Sequence, residues 1–114
     1  MGKVNSKQKG ARAEREVAKI LRNHGFADAR RTAQYCGNTG DAADVEGVPG
    51  FHLEVKIRDE KGHLAIDKWW AQAVRDSDFT GNIPVLVHRK DGQKWKITMD
   101  FEMWLEVVKD YVPF

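Results

Sequence analysis

Apolar and polar residues alternate along "FHLEVKI": Phe51, Leu53, Val55 and Ile57 fall on one side, His52, Glu54 and Lys56 on the other. A period of two predicts a β-strand with one face on the core. Upstream, Ala13, Val17, Ile20, Leu21 and His24 recur at helical spacing, which predicts a helix from Gly10 that Gly25 terminates. Residues 27–32 form a short bounded segment that reads as a first strand. Residues 33–41 carry two glycines, Asn38 and Thr39, and read as a loop. A second strand is expected over residues 42–46, and "GVPG" turns it into the alternating strand.

The C-terminal half continues the pattern. A polar loop leads to a second helix over residues 66–78. "IPVLVHR" is the continuous apolar run of a buried strand. Asp91-Gly92 signals a hairpin, "KWKITM" alternates as its partner strand, and residues 101–109 form a helix with Phe101, Trp104, Leu105 and Val108 on one face. The order α-β-β-β-α-β-β-α predicts an α/β domain, a small mixed sheet flanked by helices. Trp95 and Trp104 read as core residues. Trp69 and Trp70 cannot both be core on one helix, and the outer one suits a dimer interface.

A chain of 114 residues suits one domain, with residues 1–9 as a flexible basic arm. With 41% hydrophobic and 32% charged residues it is soluble and globular rather than disordered. No apolar run approaches the roughly 20 residues of a membrane span, and the N-terminus has no apolar signal region. A cytoplasmic location is expected. The single cysteine, Cys36, excludes an intrachain disulfide and has no partner at zinc-site spacing. Net charge is only +2, but the positive charges cluster. Lys3, Lys7, Lys9 and Arg12 precede the first acid, Glu14; Arg30-Arg31 and His88-Arg89-Lys90 form further groups. Such clusters are a weak footprint for phosphate binding, with solvated surface charge as the alternative.

The chemistry centres on two strands. A turn as short as "GVPG" makes them antiparallel neighbours, so Asp44 can approach Glu54 across the ladder, with Lys56 on the same face. Two carboxylates held together require a cation or a shared proton. An all-oxygen site favours Mg²⁺ or Mn²⁺ over zinc. An ammonium beside such an ion can orient a water or neutralise charge on a phosphorane-like transition state. The plain alternative is a half-exposed strand with an ordinary polar face.

"GDAADVEGVPGFHLEVK" resembles the core of the PD-(D/E)xK nuclease superfamily, and "KGARAEREVAKILRNHGF" resembles the first helix of its archaeal-type Holliday junction resolvases. "RRTAQYCGNTGDAADV" and "WWAQAVRDS" look closer still to phage-encoded, resolvase-like nickases. The likeness spans about Gly10 to Met99 and implies a restriction-endonuclease-like fold and a Mg²⁺-dependent DNA endonuclease, with Mn²⁺ as a substitute. It implies metal ligation by Asp44, Glu54, the Val55 carbonyl and Glu14, with Lys56 as the catalytic lysine and Gln72 as a phosphate or water contact. Periodicity alone does not choose between Glu14 and Glu16; the likeness of "AERE" selects Glu14. Lys7, Lys9, Arg12, Arg30, Arg31 and Gln34 become DNA contacts. Asp41 is either an outer carboxylate of the site or a turn former. The likeness also implies a bacterial or phage-infected host cell. Ala43 stands where the superfamily name has proline, and the long "QYCGNTGD" loop separates this chain from the archaeal resolvases. His24 reads as a helix-end residue, and His52 as either a DNA contact or a surface strand position. A symmetric junction would suit a C2 homodimer. The rival reading is a non-catalytic DNA-binding or scaffold module that retains the fold.

Overall fold

A computed structural model describes residues 6–32, 43–58 and 65–113, with side chains from Gln8 onward. Gln34, Cys36 and Asp41 therefore lie outside the described residues, as does the Lys7 side chain. Helix α1 (Ser6–Asn23) begins before Gly10. Lys9, expected in a flexible arm, is helical, and its ammonium pairs with Asp91 at 2.7 Å. Gly25 closes the helix at φ 102°, and the Phe26 N–H returns to the Leu21 carbonyl at 3.0 Å. His24 Nδ1 lies 2.8 Å from the Ile20 carbonyl, as a helix-end residue should.

Short strands β1 (Arg30–Arg31) and β2 (Val45–Glu46) lead to β3 (Phe51–Arg58), α2 (Ile66–Ser77), β4 (Ile83–Lys90), β5 (Lys96–Thr98) and α3 (Phe101–Val108). The sheet order is β1-β2-β3-β4-β5. Only the β3–β4 pair is parallel, in register from Phe51↔Ile83 to Arg58↔Lys90, and α2 makes the crossover that parallel neighbours require. The hairpin predicted at Asp91-Gly92 is present, although residues 91–95 make a longer connection than two residues. Gly47 sits at φ 108°, and a Cβ there would lie 2.4 Å from the Ala29 Cα. Only glycine permits that approach of the β2 end to the chain entering β1.

The core lies between α1 and the sheet, where Ala13, Val17 and Ala18 meet Leu53, Val55, Val85 and Val87. Helix α2 packs against β3 and β4. Its cover changes the character of β3, because the polar face is buried as completely as the apolar one: His52 and Glu54 are each 2% exposed. His52 is thus neither a DNA contact nor a surface position. Trp69 is the buried member of its pair.

Two apolar expectations fail. Trp104 is 43% exposed and no residue of α3 is buried. The face carrying Trp104 and Val108 instead borders an apolar groove of about 500 Å³, opposite Val17, Phe51 and Trp95. Ile20 likewise lines this groove rather than the core. Among the described residues no helix is long and apolar enough to cross a membrane.

Candidate active site

Asp44 occupies the position just before β2, and the antiparallel register Val45↔Leu53 places it opposite Glu54. Its backbone is held on both sides: the Asp44 N–H donates to the Leu53 carbonyl at 2.9 Å, and its carbonyl accepts from the Thr32 N–H at 3.0 Å. Its carboxylate Oδ2 accepts the Val55 N–H at 2.8 Å. These three bonds leave the side chain little freedom. It points at Glu54.

Burial, then the charge of Glu54, then that of Glu14 push the Asp44 carboxyl from its ordinary 3.8 up to about 8, although the Val55 N–H opposes the shift. At neutral pH and without a cation, Asp44 holds a proton that it shares with Glu54 in a hydrogen bond. A divalent ion between the two carboxylates would relieve the same repulsion that the proton relieves.

Glu14 approaches from α1, and the Arg31 Nε donates to its Oε1 at 2.6 Å. Glu16 turns elsewhere: it accepts the Trp95 Nε1–H at 2.9 Å and pairs with Arg89 at 3.5 Å. The structure thus brings Glu14, and not Glu16, to Asp44. Lys56 shares the β3 face of Glu54 and is half-buried. Among the described residues no carboxylate pairs with its ammonium. Gln72 lies one helical turn before Asp76 on α2, on the same face, and is also half-buried.

The basic residues are dispersed. Arg30 is exposed and loosely paired with Glu46 at 3.5 Å, while Arg31 is committed to Glu14. Lys9 and Arg12 border a separate cleft with Glu16, Arg89 and Asp91. His88 does not add to the basic cluster suggested for residues 88–90. It is buried, Nε2 lies 3.0 Å from Thr98 Oγ1, and burial followed by the Lys96 charge lowers its pKa.

The sequence profile of the phage putative PDDEXK endonucleases matches residues 5–113. The chain belongs to that family. Protein D14 of Escherichia phage T5 is 27% identical to this PDDEXK family member over 116 residues, covering 85% of the chain and 72% of the phage protein. The crystal structure of Hjc, a Holliday junction resolvase from Archaeoglobus fulgidus, superposes with a TM-score of 0.50 at 20% identity, covering 74% of this chain and 73% of Hjc. That likeness establishes the restriction-endonuclease-like fold. In this PDDEXK chain the acid-hairpin-acid-x-Lys order therefore sits on the sheet that such a fold provides.

Two further residues neighbour the PDDEXK acids: His52, expected at the surface, and Asp76, given no role from the sequence. His52 Nε2 lies 2.8 Å from Glu54 Oε1. Asp76, in the last turn of α2, is buried beside them. Both were detectable in principle: His52 alternates onto the Glu54 face, and Asp76 follows Gln72 by one turn.

Proposed function

We propose that this family member is a metal-dependent DNA endonuclease that uses Mg²⁺, or Mn²⁺ in its place, to hydrolyse a phosphodiester bond. The observation that carries this reading is the pairing of half-buried Asp44 with buried Glu54, with Glu14 beside them and the Lys56 ammonium free of any carboxylate among the described residues. The donor set fits a hard divalent ion, because Asp44, Glu54, Glu14 and the Val55 carbonyl offer only oxygen. When bound, the ion neutralises the clustered carboxylates and acidifies a water molecule at the scissile phosphate.

The chain's own groups do the rest. Lys56, which follows the buried stretch from His52 to Val55 on β3, holds its ammonium where charge builds on the attacked phosphate. Gln72 orients the water or a phosphate oxygen from α2. Arg31 fixes Glu14, and its exposed edge faces the DNA backbone. Arg30, Arg12, Lys9 and Lys7 are the proposed phosphate contacts outside the acidic site, so binding is salt-sensitive. The roles read from the sequence for Gln34, a DNA contact, and for Asp41, an outer carboxylate, complete the proposal. Branched DNA is the substrate of first choice, because the structural neighbour is a Holliday junction resolvase; nicking of duplex DNA is the second. The enzyme acts as a homodimer, which the exposed apolar residues Phe101, Met103, Trp104, Leu105 and Val107 of α3 support.

Cleavage of labelled four-way junction, flap, nicked and linear substrates with Mg²⁺, Mn²⁺ or EDTA tests the reading. Metal-dependent cutting that Glu54→Ala abolishes is expected. A native protein that binds these substrates and cuts none of them with either ion is instead the non-catalytic module. Activity that survives Glu54→Ala and Lys56→Ala moves the site elsewhere.

A further inference from the structure

Beside Glu54 lies a second group of donors. His52 and Glu54 share one face of β3, and Asp76 reaches them from the last turn of α2. One ligand atom from each lies within 4.8 Å of the other two. All three residues are buried, Asp76 at 7% exposure. We propose that His52, Glu54 and Asp76 form a second divalent-metal site, one that takes a transition ion such as Mn²⁺ and shares Glu54 with the Asp44 site.

The independent observation is the state of Asp76. Among the described residues no hydrogen-bond donor reaches its carboxylate, and its one ion-pair partner is the largely exposed Arg75, at 3.7 Å. The Asp76 side chain keeps 10% exposure, so an ion can reach its carboxylate without displacing a protein hydrogen bond. No direct bond joins Asp76 to His52 or Glu54 among the described residues. Donors about 2.1 Å from a shared ion stand at most about 4.2 Å apart, so an ion would draw the three ligand atoms only slightly closer than their present limit of 4.8 Å. Two carboxylates and an imidazole also set the net charge a divalent cation would neutralise.

The donor set differs from that of the Asp44 site. Imidazole nitrogen favours first-row transition ions, whereas Mg²⁺ prefers oxygen and retains its waters. Glu54 serves both groups: its Oε1 lies 2.8 Å from His52 Nε2, and the same carboxylate is hydrogen-bonded to Asp44. Bound there, an ion would also tie α2 to β3. The proposal borrows from the nuclease reading only the shared carboxylate.

Mn²⁺ titration calorimetry of the full chain, together with pulsed electron paramagnetic resonance for nitrogen coupling, tests it. The wild type is expected to bind two Mn²⁺ per chain, one with imidazole nitrogen coupling. Asp44→Asn should retain the nitrogen-coupled ion alone. His52→Phe should lose that coupling and one equivalent, and Asp76→Asn should weaken the same ion at least tenfold. His52→Gln serves in place of His52→Phe if circular dichroism shows the latter unfolded. A wild type without nitrogen coupling overturns the proposal, as does one whose Mn²⁺ stoichiometry and affinity are unchanged in the His52 and Asp76 variants. Failure of the nuclease reading looks different: no substrate is cut, while the nitrogen-coupled ion persists.

Discussion

The Val55 N–H donates to Asp44 Oδ2 at 2.8 Å, so one proposed metal ligand is clamped to the residue whose carbonyl is another. Because Val55 is itself packed in the core, any shift of β3 moves both ligands together. Val55→Ala is expected to lower thermal stability by about 1 to 2 kcal/mol and to raise the Mg²⁺ concentration needed for half-maximal cleavage. Chemical denaturation and metal-dependent rates measure the two effects separately. Unchanged metal dependence in a destabilised variant would break the proposed link.

Lys56 should matter to rate more than to binding. Lys56→Ala is expected to reduce the cleavage rate about 10²- to 10⁴-fold, the range for a group acting on a transferred proton or developing charge. DNA affinity, measured with Ca²⁺ to prevent cutting, should change only a fewfold. A loss confined to affinity would make Lys56 a plain phosphate contact.

Metal-free protein should lose stability as pH rises from about 4 to about 8. Folding raises the Asp44 carboxyl from 3.8 to about 8, so between these values the folded chain holds a proton that the unfolded chain has released. Stability is therefore fully present below pH 4 as far as this group is concerned, and it falls as pH rises towards 8. Melting temperatures in EDTA should decline across that window, and Mg²⁺ or Mn²⁺ should flatten the decline. Asp44→Asn should flatten it without any metal. A wild-type profile that matches Asp44→Asn would contradict the shared-proton arrangement.

The two neighbouring arginines should separate. Arg30, with a side chain 73% exposed, contributes a phosphate contact at most, so Arg30→Ala should weaken DNA binding modestly and reduce the salt slope by about one. Arg31 holds Glu14, so Arg31→Ala should depress the cleavage rate beyond its effect on affinity. Filter binding across a salt series and single-turnover kinetics distinguish them.

Gly47 gives a purely structural test. Gly47→Ala meets both a positive φ and the Ala29 backbone, and should cost more than about 1 kcal/mol of stability. A denaturant midpoint shift of that direction is expected. No shift would mean β1 can move away from β2 freely.

The order of elements was legible because each rests on local pattern: helical recurrence around Val17, alternation around Leu53, and the apolar run ending at Val87. The pairing of Asp44 with Glu54 was legible too, since a short turn dictates antiparallel neighbours. What the pattern could not carry was the depth of the polar face. Alternation along β3 distinguishes two sides but does not say whether a helix covers the second, and α2 does. His52 was misread for that reason. Trp104 was misread for the opposite one: an apolar stripe on α3 shows that a face seeks cover, not that this chain supplies it. Glu14 and Glu16 both flank the same stripe, and only the positions of Arg31 and Trp95 separate them.

The parallel register of β3 and β4 has a consequence for the order of assembly. Phe51 meets Ile83 only after the whole α2 crossover has been closed, an entropic cost that a hairpin avoids. Strand β3, which carries Glu54 and Lys56, therefore has no stable partner on one edge until β4 has been synthesised. A nascent chain that stops within α2 bears every acid of the proposed Asp44 site yet lacks the strand that would fix them in place. The proposed hydrolytic competence would then be a late product of folding, arriving with the core.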